Sequence, residues 1–193
     1  MKTAFVFPGQ GSQAVGMGQE LFEQFPVVRD TFRAVTEATG VDIAKLCFEG
    51  PEDLLKQTEN AQLALFTVGL SAYRAFREKS DLSPTFLAGH SLGEYTALVA
   101  AGVLSLEEGA KLVATRGRLM AKAGELAPGT MAAVMGLPLD QLQEACEACK
   151  ETVVVANFNT SEQLVISGSV QGVEEACERA IALEARKVVP LSV

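Results

Sequence analysis

The sequence predicts an α/β body over residues 1–125, followed by a small α+β unit over 126–193. Three observations predict it. A short apolar run, Thr85–Ala88, passes through Gly89-His90-Ser91-Leu92-Gly93 into an amphipathic segment, which reads as strand, turn and helix. A second alternating run, Thr3–Phe7, opens into the glycine-rich loop Pro8–Gly18. After Pro128-Gly129 the pattern changes to short alternating runs separated by two helical segments.

Composition sets the outer bounds. Apolar residues make up 48% of the 193 and charged residues 21%, ordinary for a soluble globular chain. The net charge of −8 argues against a general nucleic-acid binder, because phosphate contact needs a basic field. No apolar run approaches the ~20 residues that span a bilayer. The run near Met1 is short and followed by polar, glycine-rich sequence, unlike a signal peptide. The expectation is a cytoplasmic protein with no membrane partner.

The elements follow in order. Glu20–Thr39 is helical with an interruption at Pro26, and Gly40 is its C-terminal stop. Val41–Phe48 and Pro51–Leu55 are short helices divided by Gly50-Pro51. Asn60–Lys79 is a long helix, apolar on most sides. Thr85–Ala88 is a strand, and Leu92–Ala101 a helix with Gly102 beyond its end. Ser105-Leu106-Glu107-Glu108 is a capping box, starting a helix to about Ala123. Then come strand Met131–Leu137, helix Leu139–Lys150, strands Thr152–Asn157 and Gln163–Ser167, helix Val170–Leu183 and strand Lys187–Leu191. That β-α-β-β-α-β order is the ferredoxin-like plan.

The chemistry centres on Ser91. In a nucleophile elbow a strained turn lifts the hydroxyl clear of the sheet, and the following helix amino terminus favours developing negative charge. Such an elbow is the mark of an α/β-hydrolase-like body. His90 is the chain's single histidine. Its neighbouring position should turn it away from the Ser91 hydroxyl and into the interior, a structural role rather than that of a base. The loop Phe7-Pro8-Gly9-Gln10-Gly11-Ser12-Gln13 is not a dinucleotide fingerprint, because helix rather than an acidic-tipped strand follows it. It is either a simple turn or a source of backbone N–H groups for an oxyanion, with the Leu92 amide as the second donor. Arg116 falls on an apolar stripe with Leu112, Leu119 and Ala123, while Lys111, Arg118 and Lys122 share a polar face. A guanidinium on a core-facing stripe needs an anion: a structural Asp or Glu, or a substrate carboxylate. Cys146-x-x-Cys149 lies on a helix without a second Cys or His pair, so it reads as packing and no metal site is expected.

Taken together, Phe7–Gln13, Gly89–Glu94 and the helix carrying Arg116-Gly117-Arg118 closely resemble the malonyl-CoA:acyl carrier protein transacylases, across essentially all 193 residues. The resemblance implies an [acyl-carrier-protein] S-malonyltransferase of fatty acid biosynthesis, with malonyl-CoA and acyl carrier protein as partners. It implies no metal or organic cofactor, and a monomer. Ser91 would be the acylated nucleophile, Gln10 and Leu92 the oxyanion donors, and Arg116 the clamp on the malonyl carboxylate. In related polyketide acyltransferases a Gln after the serine accompanies methylmalonyl, so Leu92 points to malonyl. Lys111, Arg118 and Lys122 would steer the acidic carrier protein.

The sequence also departs from that family, whose members are about half as long again. Their catalytic histidine follows shortly after the strand that corresponds to Lys187–Leu191. The expectation is therefore a fragment with little activity of its own. A serine esterase and a non-catalytic interaction protein remain as alternatives. The esterase has no use for Arg116, and the interaction protein would need no base for Ser91.

Overall fold

The computed structural model describes residues 2–191. It has an α/β fold in two compact units, Met1–Ala121 and Lys122–Val193.

The first unit holds β1 (Ala4–Phe7), α1 (Gln19–Gln24), α2 (Pro26–Thr39), α3 (Ile43–Glu49), α4 (Glu52–Lys56), α5 (Thr58–Lys79), β2 (Phe86–Gly89), α6 (Gly93–Ala100) and most of α7 (Leu106–Leu126). Pro26 does interrupt the Glu20–Thr39 helical segment, and it occupies the first turn of α2, where its missing N–H costs nothing. Gly40 closes α2 in the left-handed region at φ 74°. The capping box at the head of α7 is reciprocal. The Ser105 amide donates to Glu108 Oε2 at 2.9 Å, and the Glu108 amide donates to Ser105 Oγ at 3.2 Å.

Strands β1 and β2 pair in parallel, Ala4 opposite Phe86 through Phe7 opposite Gly89. The helical core packs around α5, with Val28, Phe32, Ile43, Leu55, Phe66, Leu70 and Val113 buried. Phe22, Phe32 and Phe48 stack on one another with centroids 5.2–5.3 Å apart.

The second unit carries β3 (Gly129–Met135), α8 (Leu139–Glu147), β4 (Val153–Thr160), β5 (Gln163–Ser169), α9 (Val170–Ala182) and β6 (Lys187–Leu191). The sheet order is β4-β5-β3-β6, antiparallel throughout. Leu142, Leu164, Ile166, Val173 and Ala176 form its core. Strand β3 starts and stops two residues earlier than the apolar pattern predicts. Gly136, at φ 83°, turns the chain out of the sheet, and Leu137 is buried from the turn rather than from the strand. Cys146 is part of this core, where burial pushes its thiol up to about 11.

Candidate active site

Both glycines of the elbow are demanded by space. A Cβ on Gly89 would lie 1.9 Å from the Gly93 carbonyl carbon, and one on Gly93 would lie 2.3 Å from the Phe7 carbonyl oxygen. The turn is thus pressed directly beneath the end of β1. Ser91 sits between them at φ 53°, a left-handed conformation that an L-residue adopts only under constraint. The Gly93 amide donates to the His90 carbonyl at 2.9 Å and the Glu94 amide to the Ser91 carbonyl at 3.2 Å, opening α6. Ser91 is exposed, while Leu92 is 1% exposed and anchors the turn in the core.

The glycine loop lies against this turn. A Cβ on Gly9 would come 2.8 Å from His90 Nδ1 and 2.9 Å from the His90 carbonyl oxygen. Gln10 is therefore next to a residue in backbone contact with the elbow. Its side chain donates to Thr58 Oγ1 at 3.3 Å, tying the loop to the start of α5. The Gly11 amide is occupied by Gln13 Oε1 at 2.8 Å. Among the described residues, the Gln10 and Leu92 amides have no backbone acceptor.

His90 differs from expectation. It is exposed, not interior, because its side chain lies along the loop at Gly9 instead of turning under the sheet. Its amide donates to the Phe7 carbonyl at 3.0 Å, extending the β1–β2 pairing into the elbow.

Arg116 also corrects the sequence reading. Leu112 and Leu119, its supposed stripe partners, are 46% and 63% exposed. The buried face of α7 is Gly109, Ala110, Val113 and Gly117. Small residues, not large ones, face the core here. A Cβ on Gly117 would lie 2.7 Å from Glu59 Cα, so α7 approaches α5 backbone to backbone. A pattern search weighted toward large apolar residues misses such a face. Arg116 flanks it, half-buried.

That close approach brings Arg116 to the nucleophile. One guanidinium nitrogen donates to Ser91 Oγ at 2.9 Å. The other donates to Gln62 Oε1 on α5. The guanidinium also sits 5.8 Å from the Tyr95 ring centroid. Among the described residues, no Asp or Glu forms an ion pair with it. Sequence reasoning missed Gln62. The available signal was a long polar side chain inside a helix read as buried on most sides, which obliges a hydrogen-bond partner. Lys111, Arg118 and Lys122 are exposed on α7.

Residues 4–191 match the family model of the acyl transferase domain. The malonyl CoA-acyl carrier protein transacylase of Bacillus subtilis (strain 168) is 43% identical over 195 aligned positions, covering 100% of this chain and 61% of the relative. The structure of the malonyl CoA-acyl carrier protein transacylase from Coxiella burnetii superposes with a TM-score of 0.94 at 40% identity, over 100% of this chain and 61% of that one. A malonyl-transacylase solved in complex with a type II polyketide synthase acyl-carrier protein matches with a TM-score of 0.92 at 39% identity, over 100% of this chain and 63% of the other. The chain thus spans about three fifths of the length of these relatives. With an elbow serine, a glycine loop against it and a family model spanning both units, this chain belongs to the acyl transferase domain family.

Proposed function

We propose that the protein containing this chain transfers a malonyl group from coenzyme A to the phosphopantetheine thiol of an acyl carrier protein, in fatty acid biosynthesis. One observation carries the reading. A guanidinium with no carboxylate partner among the described residues donates a hydrogen bond to the hydroxyl of a strained elbow serine. An acyl group attached at Ser91 would have Arg116 at hand for a negative charge carried on its far end. A malonyl group carries one, and the relatives' names point the same way.

In this reading Ser91 Oγ attacks the thioester carbonyl as its proton passes to a base. The tetrahedral oxyanion is held by the Gln10 and Leu92 amides, aided by the amino terminus of α6. The C–S bond then breaks, coenzyme A leaves as its thiol, and malonyl-Ser91 remains with its carboxylate on Arg116. The carrier thiol attacks that ester, and Ser91 regains its proton. A guanidinium cannot accept a proton. The base is proposed to be the histidine that the resemblance implies. The exposed Lys111 and Arg118 are proposed to attract the acidic carrier protein.

The architecture is read in the same way. The elbow beneath a parallel pair supports an α/β-hydrolase-like body for the first unit, and the order β4-β5-β3-β6 supports a ferredoxin-like plan for the second.

The test is incubation with malonyl-CoA followed by peptide mass spectrometry. A malonyl adduct on the Ser91 peptide, absent from Ser91→Ala, is expected. An adduct elsewhere, or none after prolonged incubation, would contradict the assignment.

A further inference from the structure

The proposed chemistry gives no task to Gln62, yet the fold commits this residue completely. It is 1% exposed on α5, and both ends of its amide are used. Oε1 accepts from Arg116, and Nε2 donates to Met120 Sδ at 3.2 Å. A guanidinium only donates and a thioether only accepts, so the amide has a single workable orientation. We propose that Gln62 is a positioning residue that sets the acyl preference of the site, by fixing the Arg116 guanidinium toward Ser91 while Met120 fixes Gln62. This rests on Arg116 being the carboxylate clamp.

Two physical points support the role. A long arginine side chain loses rotamer freedom when it grips a ligand, and a side chain already held loses less. An Asp or Glu could hold Arg116 equally well but would neutralise it. The neutral amide of Gln62 restrains the guanidinium and leaves its whole charge for an incoming anion. Met120, half-exposed at the far side of Gln62, completes the chain Met120–Gln62–Arg116–Ser91 across α7, α5 and the elbow.

The test is calorimetric binding of malonyl-CoA and acetyl-CoA to the intact protein in a Ser91→Ala background, which removes covalent chemistry. The parent is expected to favour malonyl-CoA. Gln62→Leu, a similar volume without the acceptor, should cut that preference about tenfold while leaving acetyl-CoA affinity in place. Met120→Leu, at a surface position that leaves the fold intact, should cut it by about twofold to threefold, in proportion to its indirect role. Arg116→Ala should abolish it. If Arg116→Ala abolishes the preference and Gln62→Leu does not, the positioning role is overturned and the clamp survives. An equal loss of both ligands in Gln62→Leu marks a merely structural residue and also overturns it. Should Gln62→Leu fail to fold, an unchanged preference in Met120→Leu overturns it alone. A parent with no preference removes the clamp itself, and the proposal with it.

Discussion

Ser91 and Glu184 are the two non-glycine residues with positive φ among the described residues, at 53° and 64°. They lie in different units and arise for different reasons. Glu184 is the exit of α9. Its amide donates to the Ile181 carbonyl at 3.0 Å, and the Ala185 amide reaches back to the Ala180 carbonyl at 2.9 Å. This is how helices commonly stop, and glycine would serve better there. Ser91 ends no helix. It is held in place by two glycines pressed against neighbouring backbone, and its hydroxyl is aimed at a guanidinium. The same backbone conformation closes a helix in one unit and, in the proposed function, presents the nucleophile in the other.

The sharpest way to break that comparison is to put glycine at both positions. Glu184→Gly should raise stability by about 1 kcal/mol and leave acyl loading unchanged. Ser91→Gly should stabilise by a similar amount, about 1 kcal/mol, but abolish loading. Thermal melts and adduct mass spectrometry read both. A Ser91→Gly variant no more stable than the parent would show that the elbow is not strained.

A larger effect on stability, of opposite sign, is expected where the elbow is confined. Gly89→Ala places a methyl 1.9 Å from backbone that cannot move aside, and should cost about 3 kcal/mol in denaturant unfolding. A cost near zero would mean that the turn relaxes freely.

The smallest effect concerns the capping box. Hydrogen bonds from the Ser105 backbone, and with its side chain, hold the Glu108 carboxyl below its ordinary range. A depressed carboxylate contributes stability above its unfolded value and loses it as pH falls through the folded one. Glu108→Gln keeps the hydrogen bonds without the titration. The parent should melt slightly above this variant at neutral pH, and the gap should close in acid below about pH 4. A gap that widens in acid would reverse the sign of the argument.

Much of this was legible in the sequence. The strand–elbow–helix reading of Gly89–Gly93, the Pro26 interruption and the Ser105–Glu108 box are local, and local chemistry is written in consecutive residues. The elements of the second unit were legible for the same reason, with ends shifted by two residues where Gly136 turns the chain. Contacts between distant segments were less visible. Gln62 and Arg116 are 54 positions apart, and nothing in either neighbourhood names the other. The buried face of α7 was misread because glycine and alanine carry it. His90 was misplaced because strand alternation does not continue into a turn that lies against a second loop.

The central claim is that Arg116 makes Ser91 select an acyl group with a free carboxylate. It is tested most directly by offering malonyl-CoA and acetyl-CoA together in equal amount and weighing the Ser91 adducts. The account predicts that the malonyl adduct dominates by on the order of 10²-fold and that Arg116→Ala erases this dominance. Equal adducts in the parent, or a preference for acetyl, would contradict it.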